Sequence, residues 1–223
     1  MTENSALMVK IAVLGGTGKE GSALARRWAN KGYGVVIGSR DPEKAAQVAA
    51  EINAEIGEAF VSGADNLTAA AAADDIVVLS VPYSAHRSTL ESVKDQLQGK
   101  ILVDLTVPTP YLQSVVIPEG KSAGLEAQAL LGDGVRVVSA FQNVGAGKLK
   151  NLSEPVALDV LVTGDDEQAK HDVIALVEAA GMRGLDSGPL ANSVAAEALT
   201  AVLFYIGKVY KVKGAGIRIT GIE

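Results

Sequence analysis

A glycine-rich turn that joins a short apolar strand to a helix restricts the fold of this chain more than any other feature. Residues 9–14 read Val-Lys-Ile-Ala-Val-Leu, and Gly16, Gly18 and Gly21 follow with the spacing G-x-G-x-x-G. Such glycines permit a tight turn, close approach of the backbone to a pyrophosphate, and close packing of helix and strand. The helix N-terminus adds free N–H groups and partial positive charge. We expect a dinucleotide here rather than an empty turn, bound by Gly16, Thr17, Gly18, Lys19, Glu20 and Gly21.

The remaining chain alternates short β-branched runs with alanine-rich amphipathic stretches. Strands are predicted at residues 9–14, 34–38, 59–62, 76–81, 101–105, 135–139, 157–162 and 182–185, with a tail strand at 215–219. Helices are predicted at residues 18–30, 42–56, 66–73, 83–97, 123–131, 166–180 and 192–209. Apolar strands separated by helices are typical of a parallel sheet covered on both faces. We therefore predict a doubly wound α/β fold of the Rossmann type, with a dinucleotide-binding domain over residues 8–150 and a small C-terminal α/β part over 151–223.

Composition excludes several classes of site. The 223 residues correspond to one large domain, or one domain with a small appendage, and they include no cysteine. Disulfides, cysteine nucleophiles and thiolate metal sites are therefore excluded, and the two distant histidines, His86 and His171, do not make a metal site. The net charge of −6 argues against nonspecific binding of nucleic acid.

The chain also shows no sign of export or of a membrane span. Its first ten residues lack the pattern of a signal peptide. The longest apolar stretches, such as residues 198–206, are about half of the ~20 residues that cross a bilayer. We expect a soluble, cytoplasmic protein without a membrane partner.

The end of the second strand distinguishes NAD from NADP. An NAD site usually places Asp or Glu there, whereas this strand is followed by Ser39 and Arg40. A hydroxyl and a guanidinium would bind a 2′-phosphate, and Lys44 adds charge one turn later. We predict NADP. The alternative is a solvated Arg40 and an Asp41 that binds the ribose.

Further candidates follow the fourth and fifth strands, at the edge where ligands of such folds bind. Val81, Pro82 and Tyr83 are expected beside the nicotinamide, unless Pro82 only ends the strand and Tyr83 only packs. His86 is a general acid or base, or a packing histidine. Asp104 is catalytic, or it caps its loop through backbone N–H groups. No Ser–His–Asp set or paired carboxylates stand out, and hydride transfer between two cofactors depends on position and electrostatics more than on a side-chain acid.

Several segments together resemble the NADPH-dependent reductases of the deazaflavin coenzyme F420. They are residues 11–18, 38–40, 81–83, 186–190 and 216–218, which run from the first strand to the tail. The resemblance implies a Rossmann domain with a small C-terminal part, usually as a homodimer. It implies direct hydride transfer between nicotinamide C4 and deazaflavin C5, with no dedicated catalytic residue and no metal.

The same resemblance assigns binding residues. It implies that Thr17, Ser39, Arg40 and Lys44 hold NADP, and that the deazaflavin lies in a cleft between the two parts, stacked on the nicotinamide. The residues expected to bind this second substrate are Gln142, Val144, Pro189 and Leu190. The family often has a histidine where this chain has Gln142, which can donate a hydrogen bond but carries no charge. This departure affects the second substrate more than the NADP site.

Two other functions remain open. An imine reductase similar to the pyrroline-carboxylate family is disfavoured, because only about 70 residues follow position 150 and that family has a longer helical domain there. A nonenzymatic NADP sensor would bind the nucleotide without turnover. A second cavity near the nicotinamide would favour an enzyme over a sensor.

Overall fold

The computed structural model of the chain describes residues 9–108 and 114–222. The described residues form eight strands: β1 (Lys10–Leu14), β2 (Gly34–Ser39), β3 (Val61–Asp65), β4 (Ile76–Leu79), β5 (Ile101–Asp104), β6 (Arg136–Ser139), β7 (Asp159–Gly164) and β8 (Arg183–Asp186). They form seven α-helices: α1 (Lys19–Ala29), α2 (Pro42–Ile56), α3 (Asn66–Ala72), α4 (Tyr83–Val93), α5 (Ala123–Leu131), α6 (Glu167–Ala179) and α7 (Ser193–Val209). Apart from the tail strand at residues 215–219, the predicted succession of strands and helices is confirmed.

The strands form one sheet in the order β3-β2-β1-β4-β5-β6-β7-β8. Neighbouring strands are parallel except β6 and β7, which pair antiparallel through Val138↔Gly164 and Ser139↔Thr163. The prediction of a sheet that is parallel throughout is therefore wrong at this one pair. The physical reason is the connection, which contains only a short 3₁₀ turn at Ala146–Leu149 and no crossover helix of the kind that joins parallel strands.

Helices cover both faces of the sheet and bury two hydrophobic layers. The first layer includes Ile11, Trp28 and Val173, from β1, α1 and α6, and the second includes Leu79, Leu90 and Ala127, from β4, α4 and α5. This is the doubly wound arrangement expected from continuous apolar strands.

Helix α1 ties the C-terminal part to the nucleotide-binding part. The indole Nε1 of Trp28 donates to the carbonyl oxygen of Leu176 at 2.9 Å, and its ring meets Phe141 edge to face. The buried guanidinium of Arg27 donates to carbonyl oxygens of Leu149 and Ala180. The division at residue 150 stays a prediction, and the bonds to the carbonyls of Leu176 and Ala180 lie across it.

Local capping explains where several helices begin. Asp41 caps α2, because its carboxylate accepts from the backbone N–H of Lys44 at 3.0 Å and Pro42 takes the first position. Ser122 caps α5 in the same way. The start of α7 differs, since the amide of Asn192 donates instead to the carbonyl of Ser187.

The tail is not a strand, in contrast to the expectation for residues 215–219. It makes one ladder-like bond, from the N–H of Asp159 to the carbonyl of Ile217, and is otherwise held by side chains. The guanidinium of Arg183 binds the carboxylate of Asp159 and also donates to the carbonyls of Ile219 and Ile222. Side-chain bonds of this kind fix the tail without strand geometry.

The last helical segment has about the length predicted for residues 192–209. Leu190–Val209 is a run of 20 residues that could cross a membrane by length and composition, so the expectation that the chain has no such stretch was wrong. In the fold one side of this run packs on α5, where Leu190 and Glu197 are buried. The other side carries exposed apolar residues.

Candidate dinucleotide and second-substrate site

The turn after β1 has the close contacts that only glycine permits. Gly15 has φ +72°, and a Cβ there would lie 2.5 Å from the carbonyl oxygen of Ser80. A Cβ on Gly16 would lie 2.7 Å from the carbonyl of Val13, and one on Gly21 would lie 2.9 Å from the Cα of Gly16. The G-x-G-x-x-G pattern identified Gly16 and Gly21, but it missed Gly15, which makes the left-handed turn.

Helix α1 begins at this turn and presents its N-terminus at the edge of the sheet. Gly18 is the N-cap, is exposed and contributes no side-chain cap. The first intrahelical bond runs from the N–H of Ser22 to the carbonyl of Gly18, so the N–H groups before Ser22 have no intrahelical acceptor. Such groups are suited to bind phosphate oxygens.

Glu20 in the first turn of α1 does not place a full negative charge here. Its Oε1 is buried and has no hydrogen-bond partner among the described residues. Burial raises the pKa of the Glu20 carboxyl from 4.5 to about 8, so this group is mostly neutral at pH 7. A neutral carboxyl leaves the helix N-terminus able to attract a pyrophosphate.

The end of β2 lies beside the turn. Leu14 pairs with Gly38 in register, and the N–H of Gly16 donates to the carbonyl of Gly38 at 3.1 Å. Ser39 is buried and its Oγ accepts from the N–H of Asp41 at 3.1 Å. The fold therefore brings the glycine turn and the Ser39–Arg40 pair to one edge.

The cationic side chains at this edge are open to solvent. Arg40 and Lys44 are both exposed, and the carboxylate of Asp41 is engaged as the cap of α2. Sequence reasoning missed Asn66, whose Oδ1 accepts from the N–H of Gly15 at 3.4 Å. Its position at the start of a helix directly after β3 is the signal that would have found it.

Tyr83 begins α4 and faces a large cavity. Its hydroxyl donates to the carboxylate of Glu126 at 2.9 Å, and its ring stacks on His86 with centroids 6.1 Å apart. The cavity has a volume of about 1290 Å³ and is lined in part by Pro82, Tyr83, His86, Val107 and Glu126. Val81 lies against the turn, since its Cγ1 is 2.6 Å from where a Cβ of Gly15 would be.

His86 and Asp104 form a buried pair. The Nε2 of His86 lies 2.7 Å from Oδ2 of Asp104, and both side chains are at most 3% exposed. Oδ1 of Asp104 accepts from the N–H of Thr106 at 2.9 Å. The predicted cap role of Asp104 is therefore confirmed, and the histidine is a second partner that spacing in sequence could not reveal.

Gln142 and Val144 line a second, smaller cavity of about 350 Å³, together with residues of α7 and the tail such as Leu203, Lys208 and Ala215. The amide Nε2 of Gln142 donates to the carbonyl of Asp104 and to Oγ of Ser139, both at 2.7 Å. Its Oε1 is buried without a partner among the described residues. An unpaired buried acceptor at a cavity wall is suited to a ligand N–H donor.

Pro189 and Leu190 are not brought to this cavity. Pro189 is exposed, and the side chain of Leu190 is fully buried in the second hydrophobic layer, against Gly124. Their assignment to the second substrate stays a prediction. In the fold, Leu190 contributes by packing beneath the start of α5.

The carboxyl group of Glu197, on α7, is also buried and lies at the start of α5. Glu197 accepts from the backbone N–H of Ala123 at 2.7 Å and of Gly124 at 3.1 Å. Burial raises the pKa of the Glu197 carboxyl to about 8, although these two bonds lower it. No sequence pattern indicated this residue, because it contacts the start of α5, 74 residues earlier in the chain.

Comparisons with known proteins fit this geometry. Residues 10–108 match the family described as NADP oxidoreductase coenzyme F420-dependent. The F420-dependent NADP reductase of Methanothermobacter thermautotrophicus is 40% identical, with 97% of each chain covered. The enzyme of the same name from Methanocaldococcus jannaschii is 42% identical over 96% of this chain and 100% of its own.

A solved structure extends the likeness to three dimensions. The crystal structure of an Arthrobacter sp. FB24 protein, proposed there to be an F420-dependent NADP-reductase, superposes with a TM-score of 0.78 at 26% identity. It covers 94% of this chain and 98% of that one. Sequence identity and coverage of the methanogen enzymes, together with the glycine turn and its neighbouring edge, show that this chain belongs to the coenzyme F420-dependent NADP oxidoreductase family.

Proposed function

We propose that this oxidoreductase transfers a hydride directly between NADP(H), bound at the β1–β2 edge, and coenzyme F420, bound near Gln142. The observation that carries the proposal is the convergence of the α1 N-terminus, Ser39 and Arg40 at one edge of the sheet. When bound, the two cofactors supply the hydride chemistry themselves, and the protein supplies position and electrostatics.

The residues at this edge fit NADP. The N–H groups at the start of α1 would bind the pyrophosphate. The absence of side chains at the tightly packed Gly16 and Gly21 would let the backbone approach it closely. Arg40, with Ser39 and Lys44, would bind the 2′-phosphate through charge-assisted hydrogen bonds. No carboxylate of the Asp or Glu type follows Gly38 directly to repel that phosphate.

The smaller cavity fits part of a deazaflavin. A volume of about 350 Å³ lies within the range of small-molecule sites. The unpaired Oε1 of Gln142 would accept from a ring N–H, which keeps a hydrogen-bonding role at the position where the family often has histidine. Thr200 holds this residue in place, since its Oγ1 donates to the carbonyl oxygen of Gln142 at 2.8 Å.

The test is a spectroscopic assay of NADPH with oxidised F420, followed by the loss of deazaflavin absorbance. NADH and FMN serve as substrate controls. Arg40→Ala is expected to weaken NADPH binding by about 1.5–3 kcal/mol, roughly 10- to 100-fold, with NADH little changed. Lys31→Ala, an exposed cation in the turn after α1, is the matched control and should leave both affinities unchanged.

Two results would contradict these assignments. Equal weakening of NADPH and NADH by Arg40→Ala would make Arg40 a structural residue. Tight NADPH binding without any F420 reduction would favour an imine reductase or an NADP sensor instead. Turnover would support the proposed hydride transfer whether it is measured as reduction of F420 by NADPH or as the reverse reaction.

We further propose that the enzyme works in the cytoplasm as a homodimer through the exposed side of α7. Val202, Tyr205, Ile206 and Val209 recur at helical spacing and are between 38% and 59% exposed, which makes an apolar stripe. A second copy of the chain would cover this stripe, and a continuous stripe of this kind on a soluble protein typically marks an interface.

The homodimer is tested by light scattering during gel filtration without detergent. Tyr205→Lys should shift the mass from dimer to monomer, whereas Leu67→Lys, on the exposed side of α3, should not. A monomeric wild-type protein would refute the proposal. Binding of the wild-type protein to lipid vesicles would point to a membrane as the occupant of the stripe.

A further inference from the structure

The buried pair of His86 and Asp104 has the arrangement of an oriented acid–base group. Nε2 of His86 is held at 2.7 Å by Oδ2 of Asp104, and Oδ1 of that carboxylate is held by the N–H of Thr106. A carboxylate that binds one imidazole nitrogen fixes the ring and favours its protonated form. Nδ1 has no protein partner within the described residues, and the ring forms part of the wall of the larger cavity.

This pair lies next to the proposed F420 cavity. The carbonyl of Asp104 accepts from Nε2 of Gln142 at 2.7 Å, so one residue contacts both His86 and Gln142. Asp104 ends β5 beside Leu79 of β4, the strand that leads to Pro82 and Tyr83. His86 therefore lines the same cavity as Pro82 and Tyr83, the residues expected beside the nicotinamide, and it is linked to Gln142 only through Asp104.

The charged and titratable groups around His86 come from three elements. Asp104 ends β5, Tyr83 and Arg87 lie on α4, and Glu126 lies on α5. Burial lowers the pKa of His86, but the hydrogen bond and the charge of Asp104 outweigh it, and Glu126 adds to their effect against Arg87. The net effect is a raised pKa, which favours the imidazolium near neutral pH.

We propose that His86, held by Asp104, donates the proton that F420 reduction consumes. This inference rests on the proposed function. Reduction of F420 by NADPH moves one hydride, breaking the C4–H bond of NADPH and forming a C5–H bond on F420, and takes up one further proton. His86 supplies that proton from Nδ1, through water in the larger cavity, to a ring nitrogen of F420, and becomes neutral. In the reverse direction the neutral imidazole accepts the proton, and solvent restores the starting form in both cases.

His86→Gln tests the proposal, with the exposed His171→Gln on α6 as the matched control. A proton donor typically contributes 10²–10⁴-fold, so His86→Gln should lower kcat for F420 reduction at least 100-fold. The affinity for NADPH should stay within about threefold, and the His171 variant should match the wild type. A wild-type enzyme without F420 reduction would refute the proposed function. Normal kcat in His86→Gln, in an active wild-type background, would refute only the role of His86.

The pH dependence gives a readout that a structural role would not change. In the wild type, kcat for F420 reduction should fall as pH rises through the pKa of His86, and kcat for the reverse reaction should rise. Asp104→Asn removes the charge that raises this pKa, so the pH profiles of the forward and reverse reactions should both move to lower pH.

NMR keeps the proposal testable if either variant fails to fold. The chain has only two histidines, so their imidazole titrations can be resolved in the wild-type enzyme. The pKa measured for His86 in the free enzyme should agree with the midpoint of the pH profile of kcat/KM for F420 reduction. A difference of more than about one pH unit between them would refute proton donation by His86.

Discussion

Arg27 is expected to contribute more to stability than any other single cation on α1, although it lies far from both cavities. Arg27 is 5% exposed, and its guanidinium donates to four backbone carbonyls from residue 149 onward: Leu149, Asn151, Glu154 and Ala180. The bonds to the Leu149 and Ala180 carbonyls, at 2.9 and 2.8 Å, are fully buried, whereas the other two are partly buried.

Arg27→Met keeps most of the apolar stem and removes every donor. A buried carbonyl left without a partner costs about 1–3 kcal/mol, and water can reach only the two partly buried ones. We therefore expect the free energy of unfolding to fall by about 3–5 kcal/mol. This is a large fraction of the ~5–15 kcal/mol typical of a domain.

Arg26→Met is the matched control on the same helix. Arg26 Nε lies 2.9 Å from the half-exposed carboxylate of Glu55, and such a surface pair contributes about 0–1 kcal/mol. Urea unfolding at pH 7 would measure both variants, and thermal melts should show roughly 2–4 °C per kcal/mol. If the two variants differ by less than about 1 kcal/mol, the carbonyls of the C-terminal side do not depend on Arg27 and the reasoning is wrong.

Two further predictions concern the glycine turn and its helix. Gly21→Ala places a Cβ 2.9 Å from the Cα of Gly16, so we expect a loss of about 1–3 kcal/mol of stability and weaker NADPH binding, measured by melts and titration. Gly147→Ala, with no atom within 4 Å of its Cβ, should change neither, and equal effects would contradict the packing argument. For Glu20, folding raises the carboxyl pKa from 4.5 to about 8, so the folded state binds the proton more tightly. Stability should then decrease as pH rises from about 5 to 8, and Glu20→Gln should remove part of that slope in urea unfolding, whereas the exposed Glu43→Gln should keep it.

Features set by neighbouring residues could be predicted from the sequence. Helix α2 begins at Pro42 and ends at Ile56 as predicted, because Asp41 caps its start and Gly57, with φ +77°, ends it. The glycine turn and the Ser39–Arg40 pair were identified in the same way, since each follows an apolar strand directly. Parallel strands then bring these two local features to one edge of the sheet.

Contacts between distant segments were decided only by the tertiary structure. The sequence does not show that His86 pairs with Asp104, that Tyr83 binds Glu126, or that Glu197 caps α5, because each contact joins different elements. It also does not show the antiparallel β6–β7 pair, which depends on the path of an irregular connection.

The physical division is between short-range and long-range interactions. Hydrophobic period, caps and glycine conformations act within a few residues, so the sequence by itself determined the order of elements and the positions of the glycine turn and of Ser39 and Arg40 after their strands. Burial and charge pairing depend on which surfaces pack together. The tertiary structure alone therefore decided that Oε1 of Glu20 is buried without a partner among the described residues, that Leu190 packs in the core, and that His86 is oriented by a carboxylate.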